Sequence, residues 1–371
     1  MSGGVGRFVR TLSRISQTRY PAFVFGFGVP RRETPVFIYH DVSAPAFARD
    51  LEFLRHNGYR TLGLEEYLAA REGRVRPGRS VLLTFDDARK SFGEVALPLL
   101  RQFDARAVLF APSYWMQAAR RAPDDLFMSW EQLRACVESG LVDVQSHAHR
   151  HALIATSPQW VDFAHPQALR QFDIYDWPIR CIDAVDELGK PALGTPVYRA
   201  EPLLSAHHRY LESEDVTVAC REFVERHGGD AFFTEPDWRP RLAHFFRERA
   251  RVQRGRFLGD AAFEKLVASE FELCRDDFRR HLGYTPHCIA YPWRLGSARS
   301  LQLARQNGLR VAFGVALDYG AERRRQRLPI PVYGRLKCDW LQFLPGERRA
   351  SVLGALRRKL TGFSTVQHLA H

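Results

Sequence analysis

Short apolar runs alternate with amphipathic stretches along most of this chain of 371 residues. The runs Val36–His40, Ser80–Phe85 and Ala107–Ala111 have the length and residue types of buried strands. Between the first two runs, residues 47–57 place their apolar side chains on one helical face and stop at Gly58. Alternation of this kind predicts an α/β fold with a mostly parallel sheet, either open or closed into a barrel.

A long central stretch, residues 155–258, breaks the strand–helix rhythm. It is rich in Trp, Tyr, Pro and charged residues and shows no strand alternation, although Val216–His227 and Pro240–Val252 look helical. So many irregular residues do not fit a compact repeat, so we expect a large, mostly helical insertion that caps the mouth of the site. The rhythm resumes with a helix at Phe263–Leu282 and ends with a strand at Pro329–Tyr333.

Positive charge is concentrated at the two ends of the chain. The formal net charge is +12, with six arginines against one acid in residues 1–35 and eleven basic residues against two acids in residues 323–359. The part between them is close to neutral. Basic ends of this kind fit an anionic partner such as a lipid surface or nucleic acid, but they also fit ordinary solvated charge. Nucleic acid is the weaker alternative, because no binding motif accompanies the charge.

The apolar piece Ala22–Val29 is short, interrupted by glycine and lacks a small-residue cleavage site, which does not fit a secretory signal or a membrane span. Residues 5–20 place apolar side chains among arginines on one face, so they fit either a membrane surface or packing on the domain. The expected location is the cytoplasm, with membrane association as the alternative. The six cysteines include no C-x-x-C pair, which predicts free thiols.

Polar residues with metal-binding chemistry follow two of the apolar runs. Asp86 and Asp87 end the run Ser80–Phe85, and His147 ends a second run, with His151 four residues later. Parallel folds place ligands at the carboxyl ends of strands, and a His-x-x-x-His pair presents both rings on one side of a helical turn.

We therefore expect Asp87, His147 and His151 to hold one divalent ion. One carboxylate and two imidazoles suit zinc, with positions left open for water and substrate, although cobalt and nickel also accept such ligands. Asp86 then remains as a general base that takes a proton from water. His149 lies two residues from each histidine ligand and is expected to point elsewhere.

These motifs resemble those of the polysaccharide deacetylases, also called the NodB-homology or carbohydrate esterase family 4 enzymes. Thr84–Asp87 is similar to the first family motif, Ser146–His151 to the second, and Ile289–Trp293 to the third. The resemblance covers residues 35–153 and 262–333. It implies a deformed (β/α)7 barrel, one strand short of an ordinary (β/α)8 barrel.

The resemblance also implies roles for individual residues. Asp86 matches the catalytic base of the family, and Asp87, His147 and His151 match its metal ligands. The backbone N–H of Tyr291 matches the oxyanion donor, and Trp293 is placed to line the acetyl pocket.

The chain departs from the usual family pattern at three points. A C-terminal Leu-x-His motif, the usual source of the general acid, is missing. One branch, similar to the biofilm poly-N-acetylglucosamine deacetylases, carries the acid on an N-terminal strand, and His40 fits that version. The arginine that normally pairs with the base is also missing from the third motif, so it is absent or is supplied by Arg327 or Arg335. Arg294 stands where small residues are common and is expected to contact an anionic part of the substrate.

The expected function is metal-dependent removal of an N-acetyl group from an N-acetylated carbohydrate: a glycan precursor, a glycolipid or a glycosylated metabolite. Two alternatives keep the metal: a deformylase or other amide hydrolase acting on a sugar derivative, and a non-catalytic module that binds sugar or lipid. The expected domains are a basic segment 1–34, the deacetylase domain 35–333 interrupted by 155–258, and a basic segment 334–371.

Overall fold

The computed structural model describes residues 21–30, 33–118, 126–182, 185–315 and 328–350. The chain forms two compact units. The first, the barrel unit, comprises the described residues up to 150, residues 271–294 and the described residues between 301 and 350. The second, the inserted unit, comprises residues 151–270 and 295–300 and includes the range 155–258 expected to be an insertion. The basic ends 1–20 and 351–371 lie outside the described residues.

The described strands are numbered in chain order. They are β1 (Val36–Tyr39), β2 (Arg60–Thr61), β3 (Ser80–Phe85), β4 (Ala107–Ala111), β5 (Val142–Ser146), β6 (Leu153–Phe163), β7 (Pro178–Ile182), β8 (Val185–Glu187), β9 (Pro196–Pro202), β10 (Tyr210–Leu211), β11 (Arg256–Phe257), β12 (Cys288–Ala290), β13 (Val311–Val315) and β14 (Val332–Lys337).

The described α-helices are numbered in the same way. They are α1 (Ala44–His56), α2 (Leu64–Arg71), α3 (Leu97–Phe103), α4 (Ser113–Ala118), α5 (Trp130–Glu138), α6 (Pro166–Gln171), α7 (Glu214–Arg226), α8 (Trp238–Val252), α9 (Asp260–Leu282) and α10 (Ala298–Gln306). Among the described helices, none combines the length and the apolar character needed to cross a bilayer.

Seven parallel strands close the barrel of the first unit. Their order is β1, β14, β13, β12, β5, β4 and β3, and β3 pairs with β1 to complete the ring. The short β2 joins the start of β3. The apolar runs form these strands because a parallel sheet covered by helices buries both faces, and every residue of β1, β3 and β4 is buried. The predicted (β/α)7 barrel is therefore confirmed.

Apolar side chains from several strands fill the barrel unit and fix the positions of the strand ends. Val36, Leu82, Phe110, Ala290 and Phe313 belong to one buried cluster, each contributed by a different barrel strand. Burying such side chains contributes about 1.5–3 kcal/mol each for the larger ones. This packed core thus holds in place the strand ends that carry the polar motifs.

In the barrel unit, helices form where the sequence pattern predicts them. Ser129 caps α5: its hydroxyl accepts from the N–H of Gln132, whose side chain in turn accepts from the Ser129 N–H. The last strand differs from its prediction, because β14 begins at Val332 and runs to Lys337, beyond the expected domain end at 333. Proline has no N–H to give a strand ladder, so the strand starts after Pro331.

The inserted unit contains a sheet that the sequence pattern does not show. Strands β8, β7, β6 and β9 form a mixed four-stranded sheet, which accompanies the helices expected there. The pairing of β6 with β9 shifts register on both sides of Trp160. Such irregularities interrupt the alternation of buried and exposed residues, which explains why the strand was not recognised. The inserted unit therefore contains a four-stranded sheet in addition to the expected helices.

Candidate metal centre and active site

Three chain segments that follow barrel strands carry the functional side chains, and each has left-handed backbone. Positive φ values occur at Asp87 and Ala88 after β3, at Ala148 and His151 after β5, and at Trp293 and Arg294 after β12. Among the described residues only two others apart from glycine, Asp104 and Arg348, have this conformation. Left-handed backbone is unfavourable for such residues and persists where the surrounding structure fixes it, which is typical of functional sites.

The structure brings the three predicted metal ligands together. One ligand atom from each of Asp87, His147 and His151 lies within 4.8 Å of the other two, and all three residues are buried. Ligand atoms about 2.0–2.2 Å from a zinc ion at tetrahedral angles lie roughly 3.3–3.6 Å apart, so a contraction of this group would bring its atoms to zinc-binding distances. Two nitrogens and one carboxylate oxygen are a donor set that fits a divalent transition metal.

His147 is oriented by the strand beside it. Its Nδ1 lies 2.7 Å from the carbonyl oxygen of Ala290, so this nitrogen carries the hydrogen and Nε2 is left as the ligand atom. Nε2 lies 3.4 Å from Oδ1 of Asp87. Burial lowers the pKa of His147, but Asp86 and Asp87 outweigh burial and raise the pKa above its ordinary value.

Neighbouring side chains hold the other two ligands. The ring of His151 stacks on Tyr175 with the ring centres 4.0 Å apart. Nε of Arg89 lies 3.7 Å from Oδ2 of Asp87, and its guanidinium lies over the ring of Phe127. Arg89 thus balances part of the carboxylate charge. Sequence reasoning missed this contact, although an arginine two residues after the Asp-Asp pair was a signal that pointed to it.

Asp86 does not join the ligand cluster and instead forms an ion pair with Arg335. Nη1 and Nη2 of Arg335 lie 2.6 and 2.8 Å from the two carboxylate oxygens of Asp86, and both residues are buried. Burial raises the pKa of Asp86, but Arg335 and then His147 outweigh burial and hold the pKa below its ordinary value. The arginine left open between Arg327 and Arg335 is therefore Arg335, while Arg327 lies outside the described residues.

His40 lies next to this pair. It follows β1, whose Tyr39 is in register with Phe85 of β3, and the carbonyl of Tyr39 accepts from the N–H of Asp86. The half-buried His40 is close enough for its charge to lower the pKa of Asp86. The structure therefore places the predicted acid beside the predicted base.

The backbone N–H of Tyr291, the predicted oxyanion donor, is engaged inside the barrel. Its N–H donates to the carbonyl of Phe313 at 3.1 Å, as part of the pairing between β12 and β13. This bond competes with an oxyanion for the same N–H, and the oxyanion role of Tyr291 stays a prediction. The sequence motif gives the residue but not the partner on the adjacent strand.

The turn after Tyr291 places the remaining predicted residues. Trp293 and Arg294 are half-buried, and the N–H of Arg294 donates to the carbonyl of Tyr291 at 2.8 Å. Burial, followed by the charge of Arg335, lowers the pKa of Arg294, and Asp86 opposes this effect. Arg294 is therefore within electrostatic reach of the Asp86–Arg335 pair. His149 does not join the ligand cluster, as expected.

Comparison with known proteins agrees with these motifs. Residues 73–173 match the family model of the polysaccharide deacetylases, and this range contains Asp86, Asp87, His147 and His151. Two curated relatives, both poly-β-1,6-N-acetyl-D-glucosamine N-deacetylases, are 31 % identical over 116 residues in Escherichia coli K12 and 29 % identical over 115 residues in Staphylococcus epidermidis. These matches cover 29 % and 31 % of this chain, and only 17 % and 39 % of the two relatives.

Solved structures show the same fold. A de-N-acetylase from Aggregatibacter actinomycetemcomitans superposes with a TM-score of 0.52 at 16 % identity, covering 87 % of this chain and 98 % of that one. The BpsB deacetylase domain from Bordetella bronchiseptica gives 0.50 at 20 % identity, covering 82 % and 96 %. The closed seven-stranded barrel, the three sequence motifs and the family match over residues 73–173 make the chain similar to the NodB-type polysaccharide deacetylases of carbohydrate esterase family 4.

Proposed function

We propose that this protein is a metal-dependent N-deacetylase that hydrolyses the acetamido group of an N-acetylated carbohydrate. The observation that carries the proposal is that two adjacent carboxylates have different partners. Asp87 lies in the buried ligand cluster, whereas Asp86 is held by Arg335 beside it. A protein that only bound a metal for structure would have no use for the second carboxylate.

Asp87, His147 and His151 are the residues that would hold the ion. When bound, a divalent metal polarises a carbonyl and lowers the pKa of water, which favours hydrolysis of an amide. His147 presents Nε2 because Ala290 occupies its other nitrogen. Arg89 and Tyr175 keep Asp87 and His151 in place.

Asp86 is the proposed general base. Its lowered pKa keeps it ionised at neutral pH, so its carboxylate is ready to accept a proton from the attacking water. Arg335 holds both oxygens in one plane and limits the rotation of the group. His40 is the proposed general acid, which gives a proton to the departing sugar amine as acetate forms.

The proposed substrate is a saccharide with at least one N-acetylated amino sugar. The two curated relatives are named for poly-β-1,6-N-acetyl-D-glucosamine, which supports this substrate class. The chain spans less than a fifth of the length of the Escherichia coli relative. The smaller acetamido sugars expected from the sequence, and a cytoplasmic or membrane-associated location, remain predictions.

Acetate release from N-acetylglucosamine monomer and oligomers, with zinc or cobalt supplied, tests the proposed function. We expect turnover by the wild type and at least about a hundred-fold loss in Asp86→Asn, with unchanged metal content. Asp230→Asn, an exposed aspartate of the inserted unit, is the matched control and should keep full activity. N-formyl and longer N-acyl sugars test the acyl group. If Asp86→Asn retained full turnover, the assignment of the base would be wrong.

A further inference from the structure

The segment between the two histidine ligands is tied to the start of α4. The N–H groups of Ser113 and Tyr114 donate to the carbonyls of Ala148 and His149 at 3.3 and 2.9 Å. The indole N–H of Trp115 donates to the carbonyl of Arg150 at 2.7 Å. Three consecutive carbonyls are thus held by three consecutive residues, so this part of the loop has little freedom to move.

The side chain of His149 completes this attachment. Its Nδ1 lies 2.7 Å from Oγ of Ser113 and 3.4 Å from Oδ2 of Asp277, which comes from α9. Nε2 of Gln117 donates to the other oxygen of Asp277 at 2.9 Å. Ser113 is fully buried, and His149 and Asp277 are 9 % and 6 % exposed. The network therefore joins the loop to two helices of the barrel unit.

The polar groups in this network have a consistent pattern of donors and acceptors. Burial raises the pKa of Asp277, but hydrogen bonds from His149 and Ser113 outweigh it and lower the pKa. An ionised Asp277 only accepts, so Nδ1–H of His149 and the Ser113 hydroxyl are the donors. Ser113 and Asp277 both face the same ring nitrogen, whereas a nucleophilic triad needs serine and acid on opposite nitrogens. The arrangement is therefore a clamp and not a second hydrolytic site.

The loop needs such a clamp because its backbone is strained. Ala148 and His151 have φ values of 64° and 51°, in the left-handed region that residues with a Cβ rarely adopt. The buried side chain of His149 between them, held through its Nδ1, opposes relaxation to an ordinary conformation. Relaxation would change the separation of the His147 and His151 rings.

We propose that His149, anchored by Ser113 and Asp277, is a positioning residue that presets the two histidine ligands and so sets the affinity of the site for its metal. This inference rests on the proposed function, in that the ligand cluster binds a divalent ion. His149 acts through the loop backbone, because the described contacts of its Nδ1 lead away from the cluster, to Ser113 and Asp277.

The test measures Zn²⁺ and Co²⁺ binding to metal-free protein by calorimetry, together with the visible spectrum of the cobalt form. His149→Leu is expected to weaken binding by about ten- to a hundred-fold and to alter the cobalt bands. His149→Asn, which can place a donor near the former Nδ1, should recover most of the affinity. His244→Leu, an exposed histidine on α8, is the matched control and should bind like the wild type.

Asp277→Asn covers the case in which His149→Leu does not fold. It keeps the side-chain shape, and we expect several-fold weaker binding because the charged acceptor is lost. Unchanged affinity and an unchanged cobalt spectrum in folded variants would overturn the clamp while leaving the proposed function intact. Absence of metal binding by the wild type would overturn both.

Discussion

Arg335 forms a two-pronged, fully buried ion pair with Asp86, although 249 residues separate them along the chain. β14 carries the arginine and the aspartate directly follows β3, and each of these strands pairs with β1. Closure of the barrel thus brings Arg335 next to Asp86, the proposed base. The pair explains how a deeply buried carboxylate stays ionised beside the proposed metal site.

Replacing Arg335 by lysine tests whether the bidentate pairing with Asp86 is needed for activity. Lysine keeps the charge but not the planar pair of donors, so Asp86 should lose its fixed orientation. We expect kcat to fall by about ten- to a hundred-fold, with metal content unchanged. The acid limb of the pH–rate profile should move to higher pH, because Arg335 is the main group that lowers the pKa of Asp86.

The control for this variant is Arg310→Lys, which changes a largely exposed arginine paired with Glu65 on the same unit. It should leave both kcat and the pH profile unchanged. A lysine variant at 335 with wild-type kinetics would show that the orientation of Asp86 does not matter.

Substitution of His40 by glutamine tests the proposed acid through the leaving group. An amine leaves only when protonated, whereas a nitrophenolate leaves without help from an acid. We therefore expect His40→Gln to lose at least about ten-fold in acetate release from acetamido sugars and little in hydrolysis of 4-nitrophenyl acetate. Equal losses on both substrates would assign His40 a role other than proton donation.

Removal of the metal should lower thermal stability. A ligand that binds only the folded state stabilises it by about 2.7 kcal/mol at a hundred-fold excess over its Kd. Chelation should therefore reduce Tm by several degrees, and added zinc should restore it. Asp87→Asn and His147→Ala should show a much smaller shift with zinc, while the exposed-site variant His244→Ala should respond like the wild type. Zinc responses of normal size in both ligand variants would contradict the assigned site.

Asp50 gives a pH dependence that is independent of the active site. Tyr39 and Gln342 donate to its carboxylate at 2.9 and 3.0 Å, and burial raises its pKa from 3.8 to about 6. The folded state then holds the proton more tightly than the unfolded chain. The contribution of Asp50 to the free energy of unfolding is therefore lost as pH rises from about 4 to about 6. The loss amounts to at most about 3 kcal/mol.

Urea unfolding of the wild type and Asp50→Asn at about pH 4.5 and about pH 7 measures this effect. Asparagine keeps an acceptor but does not ionise, so the variant should gain stability relative to the wild type at the higher pH. A constant difference between the two proteins at both pH values would refute the raised pKa.

The sequence predicted the barrel and the grouping of Asp87, His147 and His151 because those signals are local. Asp87 and His147 lie at the ends of short runs typical of buried strands, and strand ends converge in a parallel barrel. The sheet of the inserted unit escaped prediction because β6 is irregular around Trp160. Its strands gain their stability from partners that periodicity does not reveal.

Long-range contacts account for what the sequence left open at the site. The choice between Arg327 and Arg335 depended on which residue points into the barrel, which the motif alone does not say. The third motif does not show that the N–H of Tyr291 donates to Phe313 on the next strand. The contacts of His149 come from two helices, whose residues Ser113 and Asp277 lie far from it along the chain.

Diffraction from crystals of the zinc-loaded protein, recorded on both sides of the zinc absorption edge, tests the central claim most directly. The account predicts one anomalous peak about 2.0–2.2 Å from a side-chain atom of each of Asp87, His147 and His151, with Asp86 still paired to Arg335. A zinc peak at any other group of residues, or no ordered zinc in a protein that releases acetate, would contradict it.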